Sequence, residues 1–106
     1  MDTDLKTLFL KALDANSQYS EAHFQLALIY NEEKDYLNVE KHFSSAISCD
    51  EEEIYIHEDK GEKLLKNFQF QNAKIEFMKA QEKKNHCANI YYHKAKYLLI
   101  KSEIEE

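Results

Sequence analysis

Residues 57–80 read HEDKGEKLLKNFQFQNAKIEFMKA, and residues 23–46, 34 positions earlier, read HFQLALIYNEEKDYLNVEKHFSSA. Laid over each other, the two stretches match His57 with His23, Gly61 with Ala27, Phe70 with Tyr36, Ala73 with Val39, Phe77 with Phe43 and Ala80 with Ala46. Working outward, the same spacing reaches Leu5, Phe9 and Ala12 on one side and Ala95 on the other. Small residues therefore recur where helices cross closely, and aromatics recur where the remaining gaps need filling. A repeat of this length holds two antiparallel helices that cannot bury their apolar faces alone, so neighbouring units share a core.

These residues resemble the tetratricopeptide-repeat family. His23, Leu26, Ala27 and Tyr30 stand as the first-helix signature of one unit and Tyr36, Val39, Phe43 and Ala46 as its second helix; His57, Lys60, Gly61 and Leu64, then Phe70, Ala73, Phe77 and Ala80, repeat the pattern. A half unit (Leu5, Phe9, Ala12, Leu13) precedes them and another (Tyr91, Lys94, Ala95, Leu98) follows. The resemblance implies an all-α fold of antiparallel helix-turn-helix repeats stacked in a right-handed superhelix, an α-solenoid. One domain over 1–106 divides into a half repeat at 1–18, repeats at 20–53 and 54–87, and a terminal capping helix at 88–106. The expected helices are six, at about 2–15, 20–33, 36–48, 53–66, 70–83 and 87–103. Two departures stand out. Lys60 and Lys94 replace an expected leucine, and Ser17, Glu51 and Asn85 stand where the family carries proline after each second helix.

Composition agrees with helices. The 106 residues contain no proline, no tryptophan and one glycine, and no Asn-Gly, Asp-Gly or Gly-Gly pair that would seat a tight β-hairpin. Asp50 and Glu53 have the spacing of an N-cap and its reciprocal partner, opening the helix expected at 53. The formal charge of −6 argues against nucleic acid, whose binding rests on cations neutralising phosphates. All 14 cationic residues are lysine, so bidentate arginine recognition of phosphate or carboxylate is also lacking.

No run of 18 apolar residues and no signal-like opening occurs, so membrane insertion is not expected. Two cysteines, Cys49 and Cys87, are too few for a disulfide framework, which places the chain in the cytoplasm; a periplasmic fragment stripped of its signal would read the same.

No phosphate loop, nucleophile elbow or zinc spacing is present, so neither an enzyme nor a cofactor is expected. His86, Cys87 and His93 are the nearest approach to metal ligands, but they lack the four-ligand spacing zinc requires and read as packing residues. His23 and His57 likewise read as packing residues at equivalent places. In the resembling family the first helices line a concave groove that receives a segment of a partner. By helical spacing that stripe is Glu21, Phe24, Leu28 and Glu32, then Tyr55, Glu58, Glu62 and Lys66, then Asn89, Tyr92, Lys96 and Ile100. Phe24, Leu28, Tyr55 and Tyr92 are surplus to the core signature and mark a contact surface. With Asp59, the stripe's carboxylates favour a basic or apolar protein segment. The Lys and Asn clamp that some members use on chaperone tails is missing, since Phe24, Leu28, Asp59, Asn89 and His93 occupy its places. Unpaired half units at each end give the rival expectation, a dimer or head-to-tail oligomer, or an excised part of a longer repeat protein.

Overall fold

A computed structural model describes residues 2–105, with side chains from 5 to 103. The outer ends of the expected domain, Met1 and Glu106, lie outside the described residues.

Helix α1 spans Asp2–Ala15, α2 Ser20–Glu32, α3 Tyr36–Lys66 and α4 Phe70–Glu105, and no strand occurs among the described residues. The described residues are all-α, as expected, but they form four helices rather than six. The breaks expected near 49–52 and 84–86 are absent, and α3 and α4 run through them for 31 and 36 residues.

The turns that do form repeat at the 34-residue spacing in atomic detail. Lys34 and Phe68 both adopt the left-handed backbone, at φ 61° and 62°. The N–H of Asp35 donates to the Tyr30 carbonyl at 3.0 Å, and that of Gln69 to the Leu64 carbonyl at 2.9 Å. Asn38 reaches back to the Asp35 side chain, and Asn72 to that of Gln69. Each turn closes one helix through its last carbonyls and opens the next. Between α1 and α2, the Asn16 side chain accepts from the Gln18 N–H at 3.0 Å and holds a true turn. The equivalent positions 50–53 and 84–87 carry Asp50-Glu51-Glu52-Glu53 and Lys84-Asn85-His86-Cys87, mostly tolerated in a helix interior and without proline, so nothing local stops the helix. The N-cap reading of Asp50 is thereby corrected: its carboxylate faces α4 in mid-helix, and Glu53 pairs with Lys83 at 3.3 Å.

α4 lies antiparallel along α3, as the pairs Glu40–Lys101, Asp50–His86, Glu53–Lys83 and His57–Glu76 mark in order. α2 packs on the first half of α3, and α1 packs on α2. The core gathers at this end: Phe24, Ala27, Val39, Phe43, Ala46 and Ile47 meet Cys87, Ile90 and Tyr97. Along α4 those three recur at three- and seven-residue steps, a coiled-coil-like seam toward α3. Ala95, expected at a helix crossing, falls off the seam and is exposed. Beyond the core the α3–α4 hairpin projects alone, giving extents of 56 × 31 × 17 Å.

Inside this hairpin Gly61 is buried, and a Cβ added there would stand 2.7 Å from the Phe77 ring. Gly61→Ala should therefore lose the gain of about 1 kcal/mol that alanine normally brings to a helix interior. In a Phe77→Leu background, where the ring is gone, the same change should stabilise by about 0.5–1 kcal/mol in urea unfolding.

Candidate partner-binding surface

The three predicted stripes do not form one groove. Residues 89–100 lie beside the first half of α3, whereas 55–66 lie beside 70–83, so the middle stripe is displaced along the long axis by about 25 Å at 1.5 Å per residue. Phe24 is buried, with its ring 6.0 Å from His86 and 5.2 Å from His93, and Leu28 packs against the core. The expectation that these two are surplus is corrected: α4 lies over Phe24, and Leu28 is half-buried against the core. Tyr55 at 70% and Tyr92 at 61% are exposed as expected, and so are Glu32, Glu62, Lys66, Asn89, Lys96 and Ile100. Several of the stripe's acids are engaged within the chain. Glu21 accepts from His86 at 2.8 Å, Glu58 pairs with Lys84 at 2.8 Å and Asp59 with Lys63 at 2.9 Å. The charge argument for a basic partner loses those three groups.

Exposed apolar side chains also line the projecting hairpin, at Tyr55, Ile56, Leu65, Phe68, Phe70, Ile75 and Met78, as they do α1 (Leu5, Leu8, Leu10) and the far part of α4 (Tyr91, Tyr92, Leu98, Leu99, Ile100). Among the described residues nothing else packs over those of the hairpin, because α1 and α2 sit at the other end.

What fixes α4 against α2 and α3 is a polar cluster that sequence reading missed. Asp50 is fully buried, and its Oδ2 accepts from His86 Nδ1 at 2.6 Å. His86 Nε2 lies 2.8 Å from a Glu21 oxygen, so each ring nitrogen faces a carboxylate, and the imidazolium is the form that donates to both. Burial alone would lower the pKa of His86, but its hydrogen bonds and charges with Asp50 and Glu21 outweigh this and hold it above the ordinary value. Asp50 Oδ1 is buried without a hydrogen-bond partner. A signal was present, since Asp50 continues the apolar stripe Phe43, Ala46 and Ile47, where a charge demands a partner.

His42 is the opposite case. His23 Nε2 donates to the Ser17 carbonyl at 2.9 Å, leaving its Nδ1 to accept from His42 Nδ1 at 3.0 Å. Burial, with His23 and Lys41 nearby, lowers the His42 pKa to about 4. The equivalent pair in the second unit is His57 with Glu76, at 2.8 Å. The two shifts act in opposite directions. His86, raised when folded, stabilises below the unfolded value near 6.5, and this is lost as pH rises through its folded pKa. His42, lowered when folded, stabilises above 6.5, and this is lost as pH falls toward 4. His42→Phe should therefore reduce the loss between pH 6.5 and 4 in thermal unfolding and leave the alkaline loss in place.

Burial and nearby carboxylates push the Cys49 and Cys87 thiols up, so neither is a thiolate at neutral pH. Among the described residues, no group of three or more His, Cys, Asp or Glu is placed to hold a metal ion, and no helix is long and apolar enough to cross a membrane. No protein-family model, no curated protein and no solved structure matches this chain.

Proposed function

We propose that the chain is a non-catalytic scaffold that binds a helix or extended segment of another protein. The observation that carries this is the projecting hairpin, where Tyr55, Phe68, Phe70, Ile75 and Met78, on its two helices and the turn between them, are each about half exposed or more. Units of this repeat pattern complete themselves by burying such faces against a neighbour, and here the neighbour would be a partner. The tetratricopeptide resemblance, a family whose units stack in an α-solenoid, supports the same reading. The test uses tagged protein in lysate from the source cells. Tyr55→Ala with Phe70→Ala should abolish capture of its partner while thermal unfolding is unchanged, both side chains being exposed on the hairpin and outside the core; full capture by the double variant would overturn the reading.

Self-assembly is the second reading, favoured by the exposure of Leu8 at 61% and Leu98 at 43% on the outer helices. Light scattering over a wide concentration range decides it: an oligomer abolished by Leu8→Glu or Leu98→Glu supports it, and a monomer throughout removes it.

A further inference from the structure

Because the two units match at 34-residue spacing down to their turn hydrogen bonds, each contact made on the first unit has a counterpart position on the second. The first unit is covered by residues 86–101 of α4. His86 meets Asp50, Glu21 and the Phe24 ring; Tyr97 lies 6.0 Å from both Tyr36 and Phe43; Lys101 reaches Glu40 at 3.5 Å. Adding 34 to those positions gives Lys84, Tyr55, Glu58, Phe70, Phe77 and Lys74. Among the described residues no further helix lies over them. Phe43 is 1% exposed but Phe77 only half-buried, and where Tyr36 is half-buried Phe70 is 61% exposed. The difference between equivalent residues marks the outline of one absent helix.

The corners of this seat specify what would fill it. Asp50, which takes His86, becomes Lys84, and Glu40, which takes Lys101, becomes Lys74: both ends change from acid to base. The centre keeps its chemistry, since Phe70 and Phe77 replace Tyr36 and Phe43 around the place of Tyr97.

Deepening the protein-binding reading on which it rests, we propose that this seat receives an amphipathic helix of a partner protein bearing acidic side chains 15 residues apart and an aromatic residue between them. It lies on the projecting hairpin as 86–101 lies on the first unit. Fifteen residues of helix span about 22 Å. The Glu58–Lys84 pair does not block it: both groups are over 40% exposed, and such pairs exchange partners at little cost. The segment 86–101 of a second copy is a poor occupant, because it would set His86 against Lys84 and Lys101 against Lys74.

The probe is a stapled helical peptide of residues 86–101 with Cys87→Ala, His86→Glu and Lys101→Glu, titrated against the intact protein by fluorescence anisotropy. It should bind, and Lys74→Glu with Lys84→Glu should weaken it at least tenfold. The peptide with native His86 and Lys101 should bind the wild type at least tenfold more weakly, and gain affinity for the Lys74→Glu, Lys84→Glu protein. Equal binding of both peptides, indifference to the lysine changes, or failure of both peptides on both proteins would overturn the proposal. So would a wild-type dimer abolished by the lysine changes, which would make a second copy the occupant. If the peptides fail while Tyr55→Ala with Phe70→Ala still abolishes partner capture, the scaffold reading stands and only the helix chemistry falls.

Discussion

His86→Ala is expected to destabilise the fold by about 3 kcal/mol at pH 7, because it leaves the buried Asp50 carboxylate without its one hydrogen-bonding partner. A chain of this length has about 5–15 kcal/mol in total, so the loss should be plain in urea unfolding. Most of that cost is the stranded charge rather than the lost attraction. Asp50→Asn introduced with His86→Ala should therefore recover a large part of it, and the double variant should be more stable than His86→Ala alone. If the single change costs less than about 0.5 kcal/mol, the polar cluster does not hold α4 in place.

Glu51→Pro is the second large effect. Glu51 is exposed and sits in the middle of α3, where proline removes a helix hydrogen bond and collides with the preceding turn, at about 3 kcal/mol or more. In the six-helix arrangement expected from the repeat, the same position follows a helix, and proline there would be nearly neutral. Circular dichroism and urea unfolding of this variant separate the two: a loss near 3 kcal/mol accords with a continuous α3, and a change within about 0.5 kcal/mol does not.

The two architectures differ in what short sequence rules can capture. The turns at Lys34 and Phe68 were readable, since helix patterns stop on either side and recur at a fixed spacing. The continuity through residues 49–52 and 84–86 was not. There the local signals conflicted: Asp50 with Glu53 looked like a helix start, while Glu51 stood where the family has proline. The conflict was decided by a partner 36 residues away, His86, which takes the Asp50 carboxylate out of any capping role. No window of sequence around Asp50 contains that information.

The surface residues divide along the same line. Tyr55 and Tyr92 were recognisable as excess aromatics and are exposed. Phe24 and Leu28 obeyed the same rule and are covered, because a continuous α3 carries residues 53–66 away from α2 and lets 87–101 take that place. The sequence of the incoming segment explains the choice. Cys87, Ile90 and Tyr97 enter the core, whereas their counterparts 34 residues earlier are Glu53, Ile56 and Lys63, two of which would bury a charge there. Phe70, Lys74 and Phe77 belong to the second helix of their unit and Lys84 stands just past it, so they escaped the stripe, and their exposure becomes visible only when the first unit is seen covered.

The most direct measurement of the central claim, that the second unit projects along a continuous α3 and leaves its seat open, is a pulsed dipolar distance between spin labels at the two repeated turns. Lys34→Cys and Asn67→Cys would carry the labels, in a chain with Cys49→Ala and Cys87→Ala. At 1.5 Å per helical residue the account predicts a separation of about 50 Å. A distance near 20 Å, two helix diameters, would mean that 53–66 folds back beside 36–48 and would contradict it.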